Sequence, residues 1–145
     1  MHLTTYTDYS LRLLIYLGSQ PNDQLTNIKE VAQLYSISSN HLSKIVFDLG
    51  KMNLIQTIRG RNGGIRLIMP PEEINLGWLI RQTEEGFTIV ECFNESKNKC
   101  VISDHCRLKH VLNDALFAFI NVLDQYTLKD IIIEPDLLGI GEKKA

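Results

Sequence analysis

Apolar residues recur at helical spacing in five stretches of this chain and alternate in three short ones. The first helical stretch, residues 8–19, has Thr7 as its cap and Leu11, Leu14, Ile15 and Leu17 on one side. A loop containing Pro21 follows. Asn27 then opens a second helix in a capping-box pattern with Glu30, and its inward side is Ile28, Val31, Ala32 and Tyr35. It stops at Tyr35-Ser36-Ile37-Ser38, a polar turn with one apolar plug. Ser38 or Ser39 caps a third helix that turns Leu42, Ile45, Val46 and Leu49 inward. Two short helices joined by a turn of this kind predict a helix-turn-helix.

The pattern then changes period. Residues 54–58 and 65–68 alternate as strands do, and Arg59-Gly-Arg-Asn-Gly-Gly64 between them predicts a tight hairpin tip. A helix-turn-helix followed by a basic two-stranded hairpin predicts a winged helix. Pro70-Pro71 ends the wing. Asn75 caps a further helix with Leu76, Leu79 and Ile80 inward, and Phe87 to Phe93 alternates as an extended segment. From about Asp104 to Tyr126 the pattern is helical again. Leu108, Leu112, Ala115, Phe119, Val122 and Tyr126 follow 4-3-4-3-4 spacing, and Val111, Leu116, Ile120 and Leu123 widen the stripe. So broad an apolar band at the end of a small domain calls for a second copy of the chain, and a homodimer follows. Thr127 caps a last short turn, 128–133.

The predicted fold is therefore mainly α with a small β wing. A winged helix-turn-helix DNA-binding domain (1–80) leads through a loop region (81–106) into a long dimerisation helix (104–133), and a flexible tail (134–145) ends the chain.

Charge sharpens this picture. Residues 1–70 carry seven Lys+Arg against four acids, net +3. Residues 71–145 carry eight against thirteen, net −5. The basic half is the one with the helix-turn-helix, which points to double-stranded DNA as its partner. Ser38, Ser39, Asn40, His41, Ser43 and Lys44, at the start of the third helix, are short or hydrogen-bonding side chains suited to base edges and phosphates. Arg59 and Arg61 at the wing tip suit a narrow, electronegative minor groove. There is no run of 18 apolar residues and no basic-then-apolar start, so neither a membrane span nor a signal peptide is expected, and the cytoplasm is the expected location. No Ser/His/Asp set, phosphate loop or paired carboxylates argue for an enzyme.

All three cysteines, Cys92, Cys100 and Cys106, lie in one stretch spaced C-x7-C-x5-C. They can hold an iron–sulfur cluster or a zinc ion, or form one disulfide with a thiol left over. Zinc knuckles favour shorter intervals, and the long ones suit a larger object embraced by a loop. Cys106 stands at the start of the long helix, where the helix dipole favours a thiolate. Candidates for a fourth ligand are His105, His110 and Asp8. The bland account of Asp8 is an i, i+4 ion pair with Arg12. Without a cluster, the thiols would serve a cysteine-based regulator that responds to oxidation or to a partner protein.

Tyr6-Thr-Asp-Tyr-Ser-Leu-Arg12, the helix-turn-helix at 27–49, Arg59-Gly-Arg-Asn-Gly-Gly-Ile-Arg-Leu67, the cysteine loop and Tyr126-Thr-Leu-Lys-Asp130 together resemble the bacterial winged-helix iron–sulfur regulators. The similarity runs in order over about residues 1–133 and is strongest to the nitric-oxide-sensing repressors of that family. It implies that Cys92, Cys100 and Cys106 bind a cluster. In the branch that controls iron–sulfur biogenesis, a histidine three residues after the last cysteine is the fourth ligand. That position here is Lys109, so the pattern fails there. In the nitric-oxide branch an aspartate on the first helix of the other subunit completes a [4Fe-4S] site, and Asp8 matches it. The resemblance thus implies a homodimeric repressor with [4Fe-4S] favoured over [2Fe-2S]. Nitric oxide is the expected signal, and Arg12 is the expected switch residue that takes back Asp8 when the cluster is lost.

Overall fold

The computed structural model describes residues 1–21 and 23–139. Among the described residues, five α-helices and two strands occur in the order α1 (Thr5–Gly18), α2 (Ile28–Tyr35), α3 (Ser39–Lys51), β1 (Ile55–Ile58), β2 (Gly64–Leu67), α4 (Leu76–Thr83) and α5 (Arg107–Leu123). This is the mainly helical fold with a small two-stranded wing that the pattern predicts.

α1 starts earlier than its local pattern indicates. Its cap is Thr4, whose side chain accepts from the Thr7 N–H. The Thr4 N–H and hydroxyl in turn donate to Glu84 at the end of α4, at 2.8 and 2.9 Å. Thr7, expected as the cap, is fully buried and donates to Thr83 at 3.0 Å. These partners lie some 76 to 80 residues away in sequence, out of reach of a local reading. The helix buries Leu13, Leu14, Tyr16 and Leu17, while Leu11 and Ile15 flank the core.

The helix-turn-helix forms as expected. Asn27 caps α2 by accepting from the Lys29 N–H. Ser36 ends it in the left-handed region (φ 55°), and the buried Ile37 plugs the turn. Ser38 caps α3, with Leu42, Ile45, Val46 and Leu49 buried. The wing is an antiparallel pair running from Ile55 opposite Leu67 to Ile58 opposite Gly64. At its tip, a Cβ on Gly63 would collide with the Ile58 carbonyl oxygen, so only glycine closes the turn there. One contiguous core joins α1, α2, α3, the wing and Leu79 of α4.

The segment after α4 differs from expectation. Residues 87–93 form no strand; they run through bends into a 3-10 turn at Glu91–Phe93. The only sheet among the described residues is the wing, so this alternating segment has no strand to pair with. The long helix is shorter than its pattern. Ser103–His105 is a separate 3-10 turn, and Cys106 sits in extended conformation as the cap of α5. Of α5 only Ile120 is buried, so its apolar band faces outward. Leu108, Val111, Phe117, Phe119 and Val122 are 42–61% exposed.

After α5 the chain returns to the winged domain. Arg81 grips Asp124 with two bonds of 2.6 Å. Asn75 donates to the Asp124 carbonyl at 2.7 Å, and Leu128 donates to Ile74 at 2.8 Å. Thr127 and Asp130 form a capping box, and Leu128 is fully buried in the common core. The far end of α5 is thus built into the DNA-binding unit. Of the tail expected over 134–145, Pro135–Leu138 forms a 3-10 turn with Leu138 packed on the core, and residues 140–145 lie outside the described residues.

Candidate nucleic-acid interface and sensor loop

Ser38, Ser39, Asn40, Ser43 and Lys44 are exposed on one side of the first turns of α3. The Ser38 hydroxyl accepts from the His41 N–H at 3.1 Å and so fixes the start of the helix. His41 is half-buried, its ring against Tyr9 of α1. Lys44 lies 3.6 Å from Asp48 and over the Tyr6 ring, but its side chain stays largely exposed. Arg59 and Arg61 are exposed at the wing tip, and neither has a hydrogen-bond or ion-pair partner among the described residues. Behind them Arg66 holds Gln56 across the wing with bonds of 3.0 and 2.8 Å. Unsatisfied guanidinium groups on a rigid hairpin beside an exposed polar helix are an anion-seeking surface.

An aromatic and charged cluster on α1 supports this surface; its Asp8–Arg12 pair was expected from the i, i+4 spacing, and its tyrosine contacts were missed. The Tyr6 hydroxyl donates to Asp48 of α3 at 2.8 Å. Burial first, then the bond to Asp48 and that carboxylate's charge, push the Tyr6 phenol up to about 12. Arg12 lies over the rings of Tyr9 and Tyr35, at 5.6 and 5.9 Å. Burial raises the Tyr35 phenol too, with the Arg12 charge opposing. Arg12 also holds Asp8 through Nε and Nη2, at 3.0 and 2.8 Å. Tyr6 and Tyr9 are three apart on the helix, a spacing that could have shown that they share a face.

The three thiols are all unpaired. Cys92 is half-buried in the Glu91–Phe93 turn, Cys100 is exposed, and Cys106 is half-buried. The Cys106 sulfur accepts from the Lys109 N–H at 3.4 Å, so it caps α5. The loop is held by polar side chains. Asn94 accepts from Ser96, Asn98 accepts from the Cys100 N–H at 3.0 Å and donates to Ser103 at 2.9 Å, and Glu91 accepts from the Lys99 N–H. A cavity of about 740 Å³ opens beside it, lined by Phe87, Cys92, Phe93, Lys109, His110 and Asn113 among others. His105 is exposed, and His110 stands at that cavity.

Among the described residues, no three His, Cys, Asp or Glu side chains converge as a ready metal site. Sequence proximity places the thiols on one loop without aiming them at one point. The chemistry of the donors still fits a thiolate-bound group. All three sulfurs are free, one caps the N-terminus of a helix, and the backbone between them carries no disulfide or regular ladder that must break for them to converge.

A helix-turn-helix with a basic wing, joined through a cysteine loop to a helix with an exposed apolar band, defines a winged-helix DNA-binding regulator. The family model for Rrf2, an iron-dependent transcriptional regulator, matches residues 3–134, and the chain belongs to that family. This is a family of transcription regulators, not of enzymes. The chain is 59% identical over 136 residues to the HTH-type transcriptional regulator NsrR of Bacillus licheniformis, covering 94% of this chain and 95% of that protein. It is 56% identical over 138 residues to NsrR of Halalkalibacterium halodurans, covering 95% and 94%. Among solved structures, the oxidized form of CymR from Staphylococcus aureus superposes with a TM-score of 0.70 at 29% identity, over 89% of this chain and 94% of that one. IscR of T. potens shares the fold at a TM-score of 0.71 and 21% identity, over 100% and 93%. No helix among the described residues is long and apolar enough to cross a membrane.

Proposed function

We propose that this chain is a homodimeric cytoplasmic repressor that senses nitric oxide through an iron–sulfur cluster and releases operator DNA when that cluster is lost. Cys92, Cys100 and Cys106 would hold the cluster, with Asp8 of the partner subunit as the fourth donor and [4Fe-4S] favoured over [2Fe-2S]. When bound, such a cluster supplies iron atoms open to nitric oxide, most readily at an iron held by a carboxylate, a hard and weak donor for it. The likeness to regulators named NsrR and the three unpaired thiols support this reading.

One observation carries it: Asp8 is chelated by Arg12 on a helix whose Tyr6 and Tyr9 both touch the recognition helix α3. Asp8 cannot give the same oxygens to Arg12 and to a site on the other subunit. When it serves the partner, Arg12 is left to the faces of Tyr9 and Tyr35. When it is released, the ion pair of this structure forms and Tyr9 shifts against His41. The two states differ at the base of the reading head, as a switch requires. The exposed apolar band of α5 supplies the dimer contact, so that two copies of α3 reach successive major-groove faces about 34–36 Å apart. Ser39, Asn40 and Ser43 face the bases, while Lys44, Arg59 and Arg61 meet phosphates or the minor groove.

The experiment is anaerobic purification of the full chain, with iron and sulfide analysis, visible absorption and operator binding before and after nitric oxide. Wild type is expected to carry iron, bind its operator and lose both on exposure. Asp8→Ala is expected to bind iron less firmly and to change its nitric oxide response. Unchanged sensitivity would remove Asp8 from the mechanism. The failure of the thiols to converge within one chain favours a second reading, a cysteine-based redox- or partner-responsive regulator. Colourless, iron-free anaerobic protein that still binds operator would establish that reading instead.

A further inference from the structure

We infer, on the reading of α3 as the DNA-facing helix, that Phe47 is a further specificity-determining residue: its ring meets the methyl group of a thymine in the major groove. Phe47 is 62% exposed, while Leu42, Ile45, Val46 and Leu49 of the same helix are buried. At 3.6 residues per turn, residues 40, 44, 47 and 51 form one row, with residue 43 beside it. Phe47 therefore stands in the middle of the outward face that Asn40, Ser43 and Lys44 begin. It lies two turns beyond Asn40, about 10 Å along the helix. That length along a groove spans about three base pairs, at about 3.4 Å each.

The charge on this face indicates what it fits. The exposed residues of α3 are Ser39, Asn40, Ser43, Lys44, Phe47 and Lys51. None is acidic. Asp48, the one acid of the helix, accepts from the Tyr6 hydroxyl at 2.8 Å and pairs with Lys44 at 3.6 Å. Lys51 makes no ion pair among the described residues, and its Nζ lies over the Phe47 ring, 4.2 Å from the centroid. That cation steadies the ring and remains available to a phosphate at the groove's rim.

An apolar ring beside an unpaired lysine, on a face without acids, fits a polyanion that also offers an apolar group. Double-stranded DNA does both. A phenyl ring neither donates nor accepts a hydrogen bond, so it cannot read the donor and acceptor pattern of the bases. The C5-methyl of thymine is the apolar feature of the major-groove edge, and phenylalanine is among the side chains that meet it. Phe47 thus adds a preference for thymine at one position of each half-site, about three base pairs from the position that Asn40 reaches.

The test uses the full chain purified anaerobically and a duplex that the wild-type chain selects from a random double-stranded pool. Each thymine is replaced in turn by deoxyuridine, which removes the methyl and leaves the hydrogen-bonding groups, and affinity is followed by titrated gel shift. At one thymine of each half-site the wild-type chain is expected to lose about fourfold, the effect of one buried methyl. Phe47→Ala is expected to bind the thymine duplex about fifteenfold more weakly, because a dimer loses the contact twice, and to be indifferent to uracil at that position. Its salt slope is expected to match wild type, because no charge is removed. Phe47→Leu, which keeps apolar bulk, is expected to retain the discrimination. Phe47→Ala is expected to melt within about 2 °C of wild type, as an exposed side chain should. Wild-type sensitivity at every thymine in Phe47→Ala overturns the inference, as does a wild-type chain indifferent to all of them. A large fall in melting temperature would make Phe47 a packing residue and overturn it too. A wild-type chain that selects no duplex at all sinks the reading of α3 itself, and this inference with it.

Discussion

The ring of Tyr9 on α1 meets the ring of His41 on α3 edge-on, with centroids 5.1 Å apart and planes at 61°. The helix that carries Asp8 therefore touches α3 through an aromatic contact, beside the Tyr6 bond to Asp48. Arg12 lies over the Tyr9 ring at 5.6 Å while holding Asp8. Tyr9 is thus the shared neighbour of the ion pair and of α3.

Tyr9→Leu keeps apolar bulk and removes the ring edge. An aromatic pair of this geometry contributes about 0.5–1.5 kcal/mol beyond its area. Operator affinity is expected to fall about threefold to tenfold, and the melting temperature by only a few degrees, as a titrated gel shift and a thermal melt would record. Equal operator affinity in the two proteins would reduce the contact to packing alone.

Tyr6 gives the fold an alkaline limit. Its phenol titrates near 12 in the folded chain against an ordinary 10.0, held up first by burial and then by Asp48. A raised acid favours the protonated form in the fold. Its contribution is whole below pH 10 and is lost as pH rises from there through the folded value. Tyr6→Phe is expected to cost about 1.5 kcal/mol at pH 7 through the lost bond to Asp48. Its deficit against wild type is expected to shrink above pH 10 in urea melts, and a deficit constant from pH 7 to 11.5 would contradict the assignment.

Gly77 is where α4 meets the end of α5. A Cβ there would run into the Asp124 carboxylate and reach to 3.0 Å of its backbone nitrogen. Gly77→Ala must push Asp124 off Arg81 or part the two helices. A loss of about 2–3 kcal/mol is expected, and amide exchange at Leu76 and Leu128, which bond across this joint, is expected to accelerate. Wild-type stability there would mean that the joint yields without cost.

Asp124 itself offers a check in acid. The bond from Arg81, foremost, and the guanidinium charge hold its carboxyl below the ordinary 3.8. A depressed carboxyl stabilises above its unfolded value, and that stabilisation is lost as pH falls through the folded one. Asp124→Asn is expected to be less stable than wild type at pH 7 and to converge with it in acid melts below pH 3.8. A gap that persists there would place the asparagine's effect outside the ion pair.

The wing arginines have a salt signature. Arg59→Ala and Arg61→Ala are each expected to weaken operator binding. Where the arginine removed had neutralised a phosphate, the slope of log affinity against log salt is expected to become shallower by about 0.9. Binding unaltered in the double variant would show that the wing does not touch DNA.

The helix-turn-helix and the wing were legible because each is local. Asn27, Ser38 and Asn75 are caps visible from sequence, and Ile37 is the plug its turn needs. The start of α1 was not, because Glu84 and Thr83 supply its partners from the far side of the domain. The alternation of 87–93 misled because alternation describes two faces and not the presence of a neighbouring strand. The cysteines were legible as a group through their spacing. Their directions were not, since a polar loop of short 3-10 turns points side chains as its own hydrogen bonds dictate.

The order of the amino acids settles whatever depends on neighbours within a few turns: periodicity, caps, the glycine-closed wing tip, the pairing of Asp8 with Arg12 and the pooling of three thiols in one segment. Packing in three dimensions settles which of these touch. It seats Leu128 in the core of the winged domain, docks Asp124 against Gly77 and sets Tyr6 and Tyr9 on α3. These meetings join residues far apart in the chain. They depend on how closely packed helices approach one another, and no local period encodes that distance.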